Sequence, residues 1–261
     1  MNLDLKHKNA LVGGSSKGIG RAVAIELASL GANITLMART EEKLIAVQAE
    51  LDTSQGQQHD YLVVDFDDSQ KLQQKIAVLV QFKPIHILVN NTGGPKGGNI
   101  VDALPQAFMN AIHNHVVCNH VLLQTVLPGM QSEKYGRIIN IISTSVKQPI
   151  DGLGVSNTTR SAVANWAKTM ANELASSEIT VNNVLPGYTA TERLDEIITD
   201  RATKASISVK KMSEKMRQDV PMQRFGHAAE IAAAVGFLAS PAAAYITGIN
   251  LPVDGGRTKS L

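Results

Sequence analysis

Short runs of apolar residues alternate with longer segments of helical period along nearly the whole chain. The apolar runs predict strands, and the segments between them predict helices. The predicted strands cover residues 9–12, 33–37, 61–64, 85–89, 137–142, 180–185 and 249–253. The predicted helices cover residues 18–30, 41–51, 69–82, roughly 106–130, 156–175 and 228–239.

This alternation predicts an α/β fold with a single Rossmann-type, doubly wound parallel sheet of about seven strands. The strands are apolar throughout, as expected where helices cover both faces of the sheet. No repeat or linker divides the chain, so residues 1–261 are predicted to form one domain. Residues 192–220 break the rhythm as an irregular insertion rich in Lys, Arg, Asp and Met. A long connection of this kind favours a substrate lid over a passive loop.

Composition narrows the class of protein further. The chain is 44% hydrophobic and 18% charged with a net charge of +2, which is typical of a globular protein and gives no sign of a nucleic-acid partner. We expect no secretory signal and no membrane span. The one cysteine, Cys118, excludes an intrachain disulfide and favours a reducing, cytoplasmic location and an inert packed side chain.

A glycine-rich loop joins the first predicted strand to the first predicted helix. Glycines at 14, 18 and 20 permit a tight turn and a close approach of backbone to a pyrophosphate, which the helix N-terminus attracts. Ser16, Lys17 and Ile19 belong to the same predicted cofactor loop. At the first β-α junction of an alternating chain this pattern indicates dinucleotide binding, and a flexible turn is the alternative.

The end of the second strand predicts which dinucleotide binds. Arg39 stands where a carboxylate would favour NAD, and a cation there favours the 2′-phosphate of NADP(H). Lys17 can reach the same phosphate; alternatively both cations simply face solvent. Asp65 can accept from the adenine amino group or cap the next helix. Asn91 and Gly93 follow the fourth strand, at the same edge of the sheet.

Together these motifs resemble the short-chain dehydrogenase/reductase family in its classical subgroup, and most closely the 3-oxoacyl-carrier-protein reductase-like members. The resemblance covers nearly the whole chain and rests on segments at the cofactor loop, the two central strand ends and the C-terminal part. These segments are 14–20, 90–93, 136–143, 186–191, 225–227, 246–248 and 253–256. The resemblance implies that Ser143 is the catalytic serine and that Pro186, Gly187 and Thr189 lie beside the nicotinamide.

The expected Tyr-x-x-x-Lys motif is replaced. Ser156 stands at the position of the tyrosine that would give a proton to the carbonyl oxygen, and Arg160 stands at the position of the lysine that binds the nicotinamide ribose. A serine hydroxyl is far less acidic than a phenol, so the proton donor is predicted to be atypical. Arg160 keeps a permanent charge and can still hold ribose hydroxyls.

Other residues are candidates for the missing acid. The family's active-site asparagine aligns with His115, although a local bulge would bring Asn114 to that position instead. His115 can titrate near neutrality, but a structural role is favoured. Tyr188 lies near the predicted nicotinamide end, where a role in the pocket wall is favoured over contact with a substrate oxygen. Three histidines, at 113, 115 and 120, do not have the spacing of a metal site.

These features favour an NADP(H)-dependent oxidoreductase that acts on a small carbonyl or alcohol substrate, with Ser143, Ser156 and Arg160 at the reaction centre. A non-catalytic NADP(H)-binding homologue, acting as a sensor or partner subunit, is the main alternative. Redirected chemistry such as elimination or dehalogenation is a third. The resemblance also implies a homotetramer.

Overall fold

The computed structural model describes residues 1–260, within which seven strands form one parallel sheet. In chain order these strands are β1 Asn9–Gly13, β2 Asn33–Ala38, β3 Asp60–Val63, β4 Ile87–Asn90, β5 Gly136–Ile141, β6 Ile179–Pro186 and, last, Asn250–Val253. Two further short strands, β7 Thr189–Ala190 and β8 Gly226–His227, pair with each other, so the last strand of the main sheet is β9.

The strand order is β3-β2-β1-β4-β5-β6-β9. The chain therefore reverses its direction of progress between β1 and β4, and ligands bind at such a switch point, outside the carboxyl ends of the strands. No helix within residues 1–260 has the length and apolarity needed to cross a bilayer.

Helices cover both faces of the sheet, which confirms the predicted fold class. The α-helices in chain order are α1 Gly18–Ser29, α2 Glu41–Gln48, α3 Ser69–Phe82, α4 Pro105–Ile112, α5 Cys118–Ser132, α6 Gly154–Leu174, α7 Glu192–Lys204, α8 Val209–Gln218 and α9 Ala228–Ala239. One apolar core joins the sheet to α1, α2 and α9, and a second joins the opposite face to α3, α5 and α6. Both cores consist mainly of buried aliphatic side chains, whose removal from water is the main stabilising term.

A ladder of buried and half-buried asparagine amides crosses the four neighbouring strands β4, β5, β6 and β9. Asn140 accepts from Asn90 and donates to Asn183, which donates to Asn250, and each of the three hydrogen bonds is 2.8 Å long. All four residues are in register as direct neighbours. Because unpaired buried amides are costly, this ladder fixes the relative height of the strand ends that carry the site.

The sequence pattern predicted an irregular insertion over residues 192–220, and this prediction is wrong. The segment contains the two helices α7 and α8. Leu194, Ile198 and Ala202 lie one helical turn apart on α7 and pack against Met212 and Met216 of α8 in a small separate core. The apolar stripe is narrow, and the many charged residues on the other faces conceal its helical period.

The predicted long helix over residues 106–130 is interrupted. A π-helical segment, His113–Val117, separates α4 from α5. Such a segment inserts one extra residue into a turn and is common at functional sites. Other boundaries differ from the predicted ones by a few residues; β4, for example, begins at Ile87 rather than at residue 85.

Candidate active site

A cavity of about 750 Å³ lies at the carboxyl ends of β1 to β6, beside α6 and α7. The structure brings nearly all the predicted site residues together along its wall. These are Gly14, Ser16, Lys17, Gly18, Ile19, Arg39, Asp65, Asn91, Gly93, Ser143, Ser156, Arg160, Pro186, Gly187 and Thr189. Gly20 instead lies beneath the glycine loop.

The glycine loop has the conformation that its sequence predicts. Gly14 and Gly18 have φ angles of +57° and +58°, which side chains rarely adopt. A Cβ atom on Gly14 would lie 2.6 Å from the backbone oxygen of Asn91, and one on Gly20 would lie 2.3 Å from the oxygen of Gly14. The side chain of Asn91 donates to the oxygens of Gly13 and Gly14. Backbone thus lines this part of the cavity, in front of the N-terminus of α1.

Cations gather at the end of β2, where the adenosine ribose of a bound dinucleotide would lie. Arg39 is exposed at the cavity, and Lys43 of α2 lines it nearby, a residue that the sequence motifs do not single out. Lys17 forms an exposed ion pair with Glu192 of α7, which lowers the pKa of that carboxyl. Arg39 and Lys43 are therefore the cations best placed for a 2′-phosphate.

Asp65 lines the cavity and does not cap α3. The N-cap of α3 is Asp68, whose carboxylate accepts from the backbone N–H of Lys71. Asp65 accepts from the N–H of Asp67 in the preceding turn. Of the two roles predicted for Asp65, the capping role is wrong, and a second carboxylate oxygen stays available to a ligand.

At the other end of the cavity, Ser143 and Ser156 face a common space with Arg160. Ser143 accepts a 3.1 Å hydrogen bond from the N–H of Ser145, so its own hydroxyl proton remains available for donation. Ser156 lies in the first turn of α6.

Arg160 is 8% exposed and binds two strand ends. Its guanidinium donates to the backbone oxygen of Ile141 at the end of β5 (3.1 Å) and to that of Thr92 after β4 (3.3 Å). Burial lowers the pKa of Arg160 to about 10, so the group stays charged at neutral pH. A buried charge without a carboxylate partner requires such dipoles, and the two carbonyl groups supply them.

The π-helical segment contains both candidates for the family's asparagine position, and their side chains reach different places. Asn114 lines the cavity and donates to Asp67 at 2.7 Å, and its own amide oxygen is buried with no hydrogen-bond partner in residues 1–260. His115 is buried behind the wall, with Nδ1 2.6 Å from the hydroxyl of Thr92. Burial, and secondly the charge of Arg160, lower the pKa of His115 to about 3. The imidazole is therefore neutral at physiological pH.

Tyr188 follows Gly187 on the cavity wall and meets two arginines that the sequence analysis missed. Its hydroxyl oxygen accepts from Arg201 of α7 and from Arg257 of the C-terminal segment, each at 3.0 Å. The ring of Phe225 packs edge-on against that of Tyr188. The three polar residues are far apart in sequence and form no motif, so only the fold reveals the cluster.

The protein belongs to the short-chain dehydrogenase/reductase family, and both its fold and its sequence show this. Residues 14–258 match the family model described as enoyl-(acyl carrier protein) reductase. The 3-oxoacyl-[acyl-carrier-protein] reductase FabG of Haemophilus influenzae is 34% identical over 253 residues, which cover 97% of this chain and 98% of that protein. FabG of Staphylococcus epidermidis is 34% identical over 254 residues, covering 96% and 98%.

Solved structures of reductases have the same fold. L-sorbose reductase from Gluconobacter frateurii, solved with NADPH and L-sorbose, superposes with a TM-score of 0.93 at 29% identity over the full length of both chains. A 3-oxoacyl-(acyl-carrier-protein) reductase from Agrobacterium tumefaciens, solved with NADP bound, has a TM-score of 0.87 at 27% identity and covers 97% of this chain and 95% of its own. Within the family, this chain is similar to the FabG-type reductases.

Proposed function

We propose that this chain is an NADP(H)-dependent oxidoreductase that interconverts a small carbonyl compound and its alcohol without the family's tyrosine as proton donor, since Ser156 stands at that position. The observation that carries the proposal is one continuous cavity with cations at the adenosine end and Ser143 with Arg160 at the other. The backbone cradle at Gly14 fits a pyrophosphate, since any side chain there would occupy its place. The reductases solved with NADPH or NADP support the same cofactor.

NADPH, when bound, supplies the hydride. The residues of this chain then have separable tasks. The loop at Gly14 and Gly18 holds the pyrophosphate with backbone N–H groups, and Arg39 with Lys43 pairs with the 2′-phosphate. Ser143, with its hydroxyl proton free, donates to the carbonyl oxygen of the substrate and stabilises the negative charge that develops there.

The proton must come from a group other than His115 or Arg160. A histidine with a pKa of about 3 carries no proton to donate at neutral pH, and Arg160 keeps its charge and uses two donors on backbone oxygens. Ser143 and Ser156 both face the cavity and can hold a water molecule between them. We infer that this water delivers the proton, with a rate below that of an enzyme with a positioned acid, which contributes roughly 10²–10⁴-fold.

The test is NADPH oxidation over a panel of aldehydes and ketones, with NADPH affinity measured by calorimetry on the same sample. We expect slow turnover that Ser143→Ala reduces at least tenfold with little change in affinity for NADPH. Arg39→Ala should instead weaken the binding of NADPH and leave that of NADH nearly unchanged. Tight binding without turnover on any carbonyl would overturn the enzymatic proposal.

Tight NADPH binding without turnover would favour a non-catalytic NADP(H)-binding homologue. The observation behind this alternative is that both partners of the proton-transfer pair differ, at Ser156 and at Arg160. A homotetrameric assembly and a cytoplasmic location remain predictions.

We also propose that residues 192–220 act as a lid in a single-domain protein. Arg193 donates to the backbone oxygen of Pro95 at 3.1 Å, and Glu192 pairs with Lys17 of the glycine loop. Both of these contacts are exposed, which suits a segment that opens for ligand exchange, and opening would also break the hydrogen bond from Arg201 to Tyr188.

A further inference from the structure

The wall of the cavity near Tyr188 carries more positive charge than the proposed reaction needs. Arg201 projects from α7 and Arg257 from the segment after β9, and both line the cavity. Their guanidinium groups meet at one atom, the hydroxyl oxygen of Tyr188, with a 3.0 Å hydrogen bond from each. Two cations that share one acceptor atom lie close together, so they repel each other.

No carboxylate in residues 1–260 lies within 4.0 Å of either guanidinium. The other arginine on this wall, Arg193, pairs with Glu196 on its own helix. Asp254, the acid nearest in sequence to Arg257, has its oxygens engaged by the backbone N–H groups of Gly256 and Thr258. Arg201 also donates to the backbone oxygen of Asp151 at 3.4 Å. The pair therefore has no counter-ion within the described chain.

Arg257 also retains a donor that nothing satisfies. Its Nε is shielded from solvent and has no hydrogen-bond partner within residues 1–260. The guanidinium carbon lies 4.2 Å from the centre of the Tyr188 ring, so the aromatic face fixes the group in place. Phe225 in turn holds that ring, with 6.1 Å between the two ring centres. A fixed pair of arginines without a counter-ion is an arrangement that recognises planar or tetrahedral oxyanions.

We infer that Arg201 and Arg257 bind an oxyanion carried by the substrate, so that this enzyme acts on carbonyl compounds that bear a carboxylate or a phosphate. This inference rests on the proposed reductase function, because it assigns the substrate class of the same cavity. The oxyanion supplies the missing counter-ion and draws the two cations together, and Tyr188 places them beside Gly187, at the predicted nicotinamide end. One of the two arginines lies on the proposed lid, so a bound anion also holds α7 against the C-terminal segment.

The experiment compares matched substrates. Straight-chain oxo acids with zero to four methylene groups between carbonyl and carboxylate are each paired with their methyl ester, and dihydroxyacetone phosphate is paired with dihydroxyacetone. We expect kcat/KM for the charged member of at least one pair to exceed that of its neutral partner by about 10- to 100-fold, the range of a hydrogen bond to a charged group. The oxo-acid and phosphate arms distinguish the two oxyanions.

Variants locate the effect. Arg201→Gln and Arg257→Gln should each remove most of the preference for the charged substrate through a rise in KM, with NADPH affinity and turnover of the neutral partner changed less than threefold. Arg257→Lys, which keeps the charge, should retain part of the preference for the charged substrate. If Arg257 had only a structural role, Arg257→Gln and Arg257→Lys should both lose that preference. Lys210→Gln is the control, since Lys210 is an exposed cation of α8 that does not line the cavity.

Each outcome decides between the two proposals. Equal turnover of charged and neutral partners, unchanged in the arginine variants, overturns the inference and leaves the reductase function standing. If no carbonyl is reduced, the reductase function fails, and calorimetry of the same oxo acids and of dihydroxyacetone phosphate against the NADP⁺ complex tests the oxyanion site by itself. Binding that is lost in Arg257→Gln then supports the site, and the absence of any binding overturns it.

Discussion

The neutral state of His115 makes the stability of the protein depend on pH in a way that one variant can isolate. An exposed histidine has a pKa of about 6.5. In the folded protein, burial and the charge of Arg160 lower the pKa of His115 to about 3. Between these two values the unfolded chain binds a proton that the folded chain does not, so acid favours unfolding. This contribution to stability is complete above pH 6.5 and is lost progressively as the pH falls towards 3.

The two pKa values set the size of the effect. Between pH 7 and pH 5 the linkage relation gives a loss of about 2 kcal/mol in the free energy of unfolding from this one side chain. His115→Asn removes the titrating group and retains a side chain that can hydrogen-bond to Thr92. The variant should be less stable than the wild type at pH 7, because a packed ring is lost, but its stability should fall by about 2 kcal/mol less on acidification.

Urea unfolding of the ligand-free protein at fixed concentration, followed through the fluorescence of Trp166, measures both quantities. His7→Asn is a suitable control. His7 is exposed and has a φ of +65°, a conformation that asparagine tolerates, and its variant should follow the wild type at both pH values. If His115→Asn and the wild type lose the same stability between pH 7 and pH 5, the imidazole is not held neutral. The argument that excludes it as the proton donor would then fail.

Four further predictions concern buried groups of the site and of the core. Arg160→Met leaves two buried backbone oxygens without a donor, so urea unfolding should show a loss of about 2–5 kcal/mol, and calorimetry should show weaker binding of NADPH. Asn140→Ala breaks two hydrogen bonds of the amide ladder and should lower the free energy of unfolding by about 2–5 kcal/mol in the same assay. Gly20→Ala, whose Cβ would overlap the backbone oxygen of Gly14, should abolish NADPH binding in a titration. Burial raises the pKa of the Cys118 thiol to about 12, so iodoacetamide at pH 8 should modify it only after urea unfolds the chain.

The fold could be predicted from the sequence because its signals are local and repeated. Each β-α unit carries its own apolar run and its own helical stripe, and the glycine loop marks the first junction. The parallel sheet requires both faces to be covered, which explains why strands such as β5 are buried at every position. The position of Lys17 and Arg39 near one phosphate could be predicted for the same reason, since the carboxyl ends of parallel strands meet at one edge of the sheet.

The sequence allowed a bulge near His115 but did not fix the π-helical segment, because a local sequence does not specify an extra residue in a helical turn. His113–Val117 has ordinary helix-compatible residues, and the insertion is stabilised by tertiary contacts on both sides. Asn114 reaches the cavity and binds Asp67, while His115 reaches Thr92. A residue count along the chain pointed to His115, and a shift of one position at the bulge brings Asn114 to the cavity instead.

The cluster at Tyr188 was hidden for a different reason. Tyr188, Arg201 and Arg257 come from three segments that share no periodicity. The sequence placed Tyr188 on the pocket wall, but each arginine looks alone like an ordinary surface residue. Only the packing of α7 and of the C-terminal segment against the end of β6 brings them together. The proposed oxyanion site depends on this long-range packing, whereas the glycine loop of the proposed cofactor site is one contiguous segment.

The two substitutions at the reaction centre are consistent with each other. A lysine placed to adjust the acidity of a tyrosine has no such task when the tyrosine is a serine, and a guanidinium can then serve another purpose. Arg160 satisfies the backbone oxygens at the ends of β4 and β5 with separate nitrogens of its planar group. A lysine ammonium has one nitrogen and would have to reach both oxygens from a single point. Because the same strand ends carry Asn91 and Ser143, this clamp holds the proposed cofactor cradle and the Ser143 hydroxyl at a fixed distance. In the proposed mechanism Arg160 is therefore a positioning residue, and the proton comes from the cavity itself.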